Sequence, residues 1–556
     1  MKILKKFIIL ILIFIFSIPS FTLHRDYKIL FEIDNNENYE LKDISNLEKY
    51  YNKNSSIKWY SAYLLYKYYK NQNNFDKTWE YLNPLYRFSY IDDPEIADDY
   101  IEWCIKKGNI NSAIKAINKH SSFYNEKLKK IIIDNKEAII EVTGKDDFYN
   151  MLYKMGFYEY LIQNEDLPDN LYVKSKYGLR NHKKVTDFYA QNPQIEDREA
   201  RYFISRSLAT QGNYKMASDI LKFAEDGRHQ TYLYYYIFYS MLSGNCEPAS
   251  EKFETMRNNY FKAKVVETVY EKFNDNNLFD MVKIYNDIKS ENFISSKIYN
   301  RYGDVFNLSK PNNYENSVYS LILEKNIYKT ERKINSLKNF FISHDGLIKK
   351  MALKRPYIIY NDIMLTNYDN PYERMVDYFR SELPYHGLRE SYKLSGFLTY
   401  HFRYPLGYFD RVITASKKAN VDPFLVWAVM REESAFNWIV SERGASGLMQ
   451  IMPATREWLK NIFNYQDTDD EIYDNIFLGA SYLKLLYDKY SKYENGLIYA
   501  IMAYNGGQGN VDRWIEKNKT IEDVVRNIPY FETERYLYKV MESYVEYIRI
   551  YENPEL

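Results

Sequence analysis

A short signature recurs in the N-terminal part of the chain: Gly-Asn, with an Ala five residues after the glycine. Full copies begin at Gly108, Gly212 and Gly244, and degenerate copies lie near Asn73 and Asn276. Helix–turn–helix repeats of about 34 residues leave this trace, because Gly-Asn forms the turn and the small Ala lets the next helix pack closely. The signature predicts stacked helix pairs. An irregular helical domain with coincidental Gly-Asn turns is the alternative.

Turn-forming residues are scarce throughout the chain, which has 19 Gly and 15 Pro in 556 residues. This composition favours helices over a turn-rich β fold. The 75 Lys and Arg balance the 75 Asp and Glu, which argues against a nucleic-acid partner because phosphates require a basic surface. We therefore predict an all-α fold in which a solenoid-like or superhelical N-terminal domain, similar to tetratricopeptide repeats, precedes a second helical domain.

The N-terminus has the three parts of a secretory signal peptide. Basic residues precede the apolar run from Phe7 to Phe16, and small polar residues follow up to Ser20. We predict a signal peptide over residues 1–22, export to the periplasm or cell envelope, and no membrane span after cleavage. An uncleaved anchor that extends to Leu23 is the alternative.

A change in composition near residue 400 indicates a domain boundary. Prolines are comparatively close together between Pro356 and Pro405, and most later glycines and all the distinctive motifs follow them. We predict a helical repeat-like domain over 23–345, a helical linker region over 346–404 and a second domain over 405–556.

The sequence lacks the common patterns of metal and cofactor sites. The seven His residues are scattered, without a His-Glu-x-x-His pattern or a Cys/His cluster, and there is no Gly-x-Ser-x-Gly, Rossmann or Walker motif. We therefore predict neither a metal nor a cofactor. Cys104 and Cys246 are predicted to be separate buried thiols, although export would permit a disulfide.

One predicted helix of the second domain ends in two carboxyl groups. Asp422 followed by proline is typical of a helix start, and residues 424–430 are apolar on every side, which indicates a buried helix. A Glu at the end of such a helix must be paired, hydrogen-bonded or held neutral by a raised pKa, and the last case creates a general acid. Spacing does not separate Glu432 from Glu433, and one or both could instead pair with Arg431 or another base.

Three further segments have side chains that could line a site. Each segment taken alone is an inter-helical turn, with methionines that belong to the core. A helix is predicted over 497–502, and the glycines that follow it do not form a phosphate loop because no Gly-Lys-Ser/Thr follows. The segments are 441–453, 503–507 and 528–533, and the last precedes an amphipathic helix through Tyr536, Val540 and Tyr544.

Four motifs occur in the order found in the soluble lytic murein transglycosylase family. They are Glu433-Ser434, Gly447-Leu448-Met449-Gln450, Ala503-Tyr504-Asn505, and Ile528-Pro529 with Glu532-Thr533 and Tyr536. Together, over about residues 405 to 545, they are specific, whereas the N-terminal part resembles the family by architecture only. The resemblance implies a lysozyme-like catalytic domain that cleaves the β-1,4 bond between N-acetylmuramic acid and N-acetylglucosamine in peptidoglycan.

The resemblance also implies roles for individual residues. The acid/base of the family is the Glu directly before Ser, which is Glu433, and Glu432 is then a bystander. The chain departs from the family in having eight residues from Glu433 to Ser441, where nine is usual, and Trp438 in place of Pro. The implied partners are glycan strands, with cell-wall synthesis or division proteins as candidates. The implied substrate-binding residues are Ser441, Met449, Gln450, Met452, Tyr504, Asn505, Glu532 and Tyr536.

The predicted mechanism requires one carboxyl group. Ordinary glycosidases use two, and the sequence does not obviously place a second one beside Glu433. The hypothesis is that Glu433 acts first as general acid and then as base, while the C6 hydroxyl of the sugar attacks its own C1 to give a 1,6-anhydro end. The alternatives are a hydrolytic muramidase on the same fold, a scaffold that binds peptidoglycan without cutting it, and a helical-repeat adaptor.

Overall fold

A computed structural model of the chain describes most of its length. In the described residues the chain is helical, and the only β pairings there are two single bridges, from Ser446 to Val440 and to Ile451. The predicted signal peptide and the Gly-Asn-like copy near Asn276 lie outside the described residues. These residues are 26–35, 41–52, 57–88, 94–119, 126–258, 356–365, 371–394, 397–441, 444–518, 520–526 and 530–552, with isolated positions between 261 and 351 and at 368 and 528.

The described residues form two compact units. The first contains those of 1–135, 328–516 and 528–556, and the second contains those of 136–327 and 517–527. The domain boundaries that we infer from the sequence remain predictions. No described helix is long and apolar enough to cross a membrane.

The helices are numbered in chain order. The first unit begins with α1 (Asp26–Asn35), α2 (Leu41–Tyr51), α3 (Ile57–Asn71), α4 (Phe75–Phe88), α5 (Pro94–Lys106), α6 (Ile110–Lys119) and α7 (Glu126–Asp134). The second unit contains α8 (Lys136–Thr143), α9 (Lys145–Lys154), α10 (Tyr158–Leu161), α11 (Asp169–Gly178), α12 (His182–Gln191), α13 (Arg198–Thr210), α14 (Tyr214–Leu221), α15 (Gln230–Leu242) and α16 (Glu247–Lys252), with 3₁₀ turns at Lys222–Asp226 and Phe253–Thr255.

The remaining helices carry the residues that we predict to form the site. They are α17 (Pro356–Leu365), α18 (Pro371–Arg380), α19 (Pro384–Lys393), α20 (Phe397–Phe402), α21 (Phe409–Ala419), α22 (Pro423–Ser434), α23 (Pro453–Phe463), α24 (Glu471–Tyr490), α25 (Gly496–Gly506), α26 (Gln508–Lys517), α27 (Ile521–Arg526) and α28 (Phe531–Tyr551). Among these, α27 and the last residue of α26, Lys517, belong to the second unit, and the rest belong to the first.

The Gly-Asn signature forms turns between consecutive helices. Gly108, Gly212 and Gly244 lie between α5 and α6, α13 and α14, and α15 and α16, with φ angles of 71°, 78° and 90°. Glycine adopts such left-handed conformations without steric cost. Ala113 and Ala217, which follow two of these turns, are completely buried. The prediction of closely packed helix pairs is therefore confirmed at these positions.

Helix α22 is the buried helix that the sequence predicts. It begins at Pro423, and the Asp422 side chain caps it by accepting a hydrogen bond from the Phe424 backbone N–H at 2.9 Å. Every residue from Pro423 to Met430 is buried. Helix α28 packs against α22 and buries its own apolar face. Helix α22 is therefore buried on all sides, and only its C-terminal end is partly exposed.

The two cysteines differ in exposure. Cys104 is buried, as predicted, whereas Cys246 is partly exposed, and no disulfide joins them.

Candidate active site

The end of α22 is fixed to the loop that follows. The chain leaves the helix through Ala435 and Phe436, which have φ angles of 50° and 64°. This left-handed conformation costs a non-glycine residue roughly 1–2 kcal/mol. The Ser434 hydroxyl lies 3.1 Å from the Met430 carbonyl and 2.9 Å from the Leu448 carbonyl, and can donate to either. Ser434 therefore joins the helix end to the predicted Gly-Leu-Met-Gln loop.

The two adjacent glutamates at this helix end have different environments. Glu432 forms an ion pair with Arg431, accepts a hydrogen bond from the Ser543 hydroxyl at 2.6 Å, and lies 4.0 Å from Lys539 Nζ. Glu433 forms no salt bridge with any residue that the structure describes. Pairing with a neighbouring base, which the sequence left open for both glutamates, thus occurs at Glu432 alone within the described chain.

Glu433 has the properties of a carboxyl group that keeps its proton near neutral pH. Burial raises its pKa from the usual 4.5 to about 7. The Tyr536 hydroxyl opposes this by stabilising the ionised form, and the negative charges of Glu532 and Glu432 raise the pKa further. A carboxyl group with a pKa near 7 can both donate and accept a proton at neutral pH.

Two tyrosines border Glu433. The Tyr504 hydroxyl donates a hydrogen bond to the Met449 carbonyl at 2.8 Å. Tyr536 is buried, and its hydroxyl is close enough to Glu433 to lower the pKa of that carboxyl, although it makes no hydrogen bond of standard geometry with any described residue. Burial, and then the nearby charge of Glu433, raises the pKa of both tyrosines well above 10. Both are therefore neutral at physiological pH and able to donate hydrogen bonds.

The two predicted methionines lie in different surroundings. Met449 is completely buried, and its backbone N–H donates to Asn475 Oδ1 at 2.9 Å. Its side chain fills the space that Gly479 leaves on α24, where an added Cβ would lie 2.6 Å from Met449 Cβ. Met452 is 42% exposed. Of the two, Met452 is accessible to a ligand, whereas Met449 belongs to the core.

Gln450 holds the loop in shape through its side-chain amide. Its Nε2 donates to the carbonyls of Ile439 at 2.9 Å and Gly447 at 2.8 Å, which supports a backbone with φ of 46°. No described residue donates to its Oε1, so this oxygen can accept a hydrogen bond from a ligand.

The hydrogen bonds of Ser441 lie within one tight turn. Its backbone N–H donates to the Ala445 carbonyl at 2.8 Å, and its hydroxyl accepts from the Ala445 backbone N–H at 3.0 Å. These contacts do not include Glu433. Residues 442 and 443 of this turn lie outside the described residues.

Asn505 joins the end of α25 to the start of α28. Its Oδ1 accepts a hydrogen bond from the Thr533 hydroxyl at 2.8 Å. Gly506 allows this approach, because an added Cβ would lie 2.9 Å from the Thr533 hydroxyl oxygen. Glu532, directly before Thr533, is exposed. These contacts bring the third and fourth motifs together beside Glu433.

The predicted helix over 497–502 was too short. Helix α25 extends through Gly506, so Tyr504 and Asn505 project from its last turn instead of a loop. The connection to α26 is Gly507 alone, with φ of 82°. A helical backbone fixes the directions of both side chains more firmly than a loop would.

Trp438, which replaces a family proline, lines a cavity of about 630 Å³. Tyr385, His386, Tyr408 and Phe436 are among its other lining residues, and none of the predicted site residues is. This cavity is therefore distinct from the surroundings of Glu433. Separately, no group of three His, Cys, Asp or Glu side chains within the described ranges could hold a metal ion.

The geometry and a family comparison agree on the nature of this region. The Transglycosylase SLT domain family matches residues 410–526, which include α22, the Gly-Leu-Met-Gln loop and α25. This part of the chain is a transglycosylase SLT domain. The family resemblance that we derived from the four motifs is confirmed.

Known relatives of this region are soluble lytic murein transglycosylases. That of Salmonella typhimurium is 35% identical over 156 residues, which are 26% of this chain and 24% of the relative. That of Escherichia coli K12 is 33% identical over 158 residues, which are 27% of this chain and 24% of the relative. The matched region thus spans about a quarter of the length of these relatives.

A solved structure extends the likeness beyond this region at the level of fold. The 70-kDa soluble lytic transglycosylase in complex with bulgecin A has a TM-score of 0.52 and 15% identity, over 94% of this chain and 91% of that one. The predicted all-α fold class, with a superhelical N-terminal region before a lysozyme-like domain, is confirmed.

Proposed function

We propose that this protein is a peptidoglycan lytic transglycosylase of the cell envelope, and that Glu433 is its acid/base. The observation that supports this most directly is the contrast between two adjacent carboxyl groups in an SLT domain. Glu432 is neutralised by Arg431, whereas burial raises the pKa of Glu433 to about 7. Periplasmic location after export is part of the proposal and rests on the N-terminal sequence pattern.

The reaction begins with protonation of the leaving group. The Glu433 carboxyl gives its proton to the oxygen of the β-1,4 bond between N-acetylmuramic acid and N-acetylglucosamine, and the bond from C1 to that oxygen breaks. The 2-acetamido group of the muramic acid stabilises the positive charge at C1. The Tyr536 hydroxyl stabilises the carboxylate that remains on Glu433.

The second step closes the sugar on itself. The Glu433 carboxylate accepts the proton of the C6 hydroxyl as O6 bonds to C1, and the carboxyl regains its starting state. The product is a 1,6-anhydromuramic end, and no water is consumed. An attacking group within the same sugar has an effective-molarity advantage over a bound water.

The mass of the products tests the reaction type. Digestion of purified sacculi should release muropeptides with 1,6-anhydro ends, each lighter by one water than the hydrolysed fragment. The charge of Glu532 raises the pKa of Glu433, which makes Glu532 the candidate second carboxylate for a hydrolytic route. Products with ordinary reducing ends would therefore show a muramidase. If digestion released no soluble product, the result would favour a glycan-binding scaffold.

The pH profile tests the surroundings of Glu433. Because the first step needs the protonated carboxyl, kcat/KM should fall as pH rises through about 7. Glu532→Gln removes a charge that raises this pKa, so the alkaline limb should move to lower pH. Tyr536→Phe removes a group that lowers it, so the limb should move to higher pH. Limbs that shift in the same direction in both variants would contradict this account.

A further inference from the structure

Exposed apolar side chains are concentrated on one helix of the SLT domain. Four of the eleven exposed large hydrophobic residues in the described part of the chain lie at or within α23, which begins directly after the proposed substrate-contacting residues Gln450 and Met452. Clustered exposed apolar residues usually mark a binding surface, whereas single exposed ones need no such explanation. Three of them are Met452, Trp458 and Ile462, and the fourth is Phe463, which lies on a different face of the helix from Trp458 and Ile462.

Trp458 is connected to the proposed active site by a row of aromatic rings. Its centroid lies 6.2 Å from that of Tyr482, edge to face, and Tyr482 lies 5.3 Å from Tyr504. Tyr504 in turn borders Glu433. Tyr482 is partly buried, whereas Trp458 is 42% exposed. The row thus begins beside the proposed acid/base and ends on an indole that is open to a ligand.

The charges around Trp458 leave this surface close to neutral. Arg456 and Lys460, on the same helix, both pair with Asp467 at 2.9 Å, and Lys460 also lies 3.7 Å from Glu457, so two carboxylates balance the two cations. Ile462, one helical turn after Trp458, is 49% exposed on the same face. An apolar surface without unpaired basic groups suits a neutral ring with an apolar face. Pyranose rings have such a face, formed by their C–H groups.

We propose that Trp458, supported by Tyr482, is a stacking site for an N-acetylhexosamine ring of the glycan strand, remote from the bond that Glu433 cleaves. This inference rests on the proposed function and deepens it. Its consequence is a preference for strands that are long enough to reach from Glu433 to Trp458. Short fragments would occupy only the surroundings of Glu433 and would not reach the indole.

The test compares long and short glycan strands in a chain that cannot cleave them. In a Glu433→Gln background, adding Trp458→Ala should weaken calorimetric binding of peptide-free long strands roughly five- to tenfold, the range expected when one aromatic stacking contact is lost. Binding of a single disaccharide unit should not change. In the active chain the same substitution should raise KM for long strands and leave kcat unchanged.

Two matched variants control for folding and chemistry. Phe463→Ala removes a ring of similar exposure, 40%, from the same helix. Because Phe463 lies on a different face of α23, it should leave long-strand binding unchanged. Trp458→Tyr keeps an aromatic face and should retain most of the affinity.

Three results would overturn this inference. Unchanged long-strand binding in Trp458→Ala would show that no sugar stacks there. An equal loss on long and short strands would indicate a structural role. A change in sedimentation without a change in glycan binding would make the patch a contact between copies of the chain. Failure of the proposed function is separate, because it appears as absence of cleavage by the unaltered chain.

Discussion

Glu433→Gln should reduce cleavage of purified sacculi by roughly 10³-fold or more. General acid–base catalysis by one group contributes about 10²–10⁴-fold, and in the proposed mechanism a single carboxyl group performs both proton transfers. The amide keeps the shape of the side chain but can neither donate a proton to the leaving oxygen nor accept one from the C6 hydroxyl. The initial rate of soluble muropeptide release, measured by chromatography, gives the comparison.

The stability of this variant shows whether lost activity reflects lost chemistry. The pKa of Glu433 is raised in the folded state, so the stability that its carboxyl contributes is complete below pH 4.5 and is lost as pH rises through about 7. Glutamine does not ionise. Glu433→Gln should therefore unfold with wild-type stability at pH 4 and be more stable at pH 8, by up to about 3 kcal/mol.

Glu432→Gln is the matched control at the neighbouring position. It removes a carboxyl group that pairs with Arg431 and accepts a hydrogen bond from Ser543, and so it should lower stability while the folded fraction stays active. The assignment would be wrong if Glu433→Gln cleaved at a near wild-type rate. It would be equally wrong if well-folded Glu432→Gln were inactive.

Local sequence patterns predict the start of helix α22 but not the difference between its two glutamates. The Asp422 side chain caps the helix by accepting a hydrogen bond from the backbone N–H of Phe424, two residues later. Three adjacent residues, Asp-Pro-Phe, are therefore enough to predict where the helix begins. The partners of Glu432 include Ser543, which is 111 residues away in the sequence. Such a contact depends on how α28 packs on α22, and hydrophobic periodicity contains no information about it.

The two methionines show the same limit of sequence reasoning. Met449 and Met452 have the same side chain and lie three residues apart, yet one is buried and the other exposed. The difference depends on Gly479, which leaves space for Met449 on a helix far along the chain. The motif resemblance identified the loop. Which of its two methionines can contact a ligand depends on how α24 packs against it.

A buried arginine from outside the matched SLT region pairs with Asp422, which caps the N-terminal end of α22. Arg332 Nε and Nη2 lie 2.8 and 2.6 Å from Asp422 Oδ2, and Nη2 lies 2.7 Å from the Tyr544 hydroxyl. Arg332 also forms an ion pair with Glu552. Its side chain is only 1% exposed, and that of Asp422 is completely buried. This arginine therefore joins the start of α22 to α28, and no local motif signals it.

Arg332→Ala should destabilise the first unit by about 3–5 kcal/mol, because it leaves the buried carboxylate of Asp422 without its cation. The midpoint of thermal unfolding should fall by roughly 10 °C. Lys329→Ala is the matched control. Lys329 Nζ pairs with the same Glu552 at 3.2 Å but its side chain is 59% exposed, so the loss should stay below about 1 kcal/mol.

The double variant Arg332→Ala/Asp422→Ala separates lost attraction from an unpaired buried charge. If the unpaired carboxylate causes the loss of stability, removing both charges should cost less than the sum of the two single variants.

Arg332 also affects where a stable fragment of the chain can begin. A fragment of residues 405–556 lacks Arg332 and should be much less stable than one of residues 328–556, as measured by circular dichroism during urea unfolding. Equal stability of the two fragments would show that Arg332 does not support helix α22.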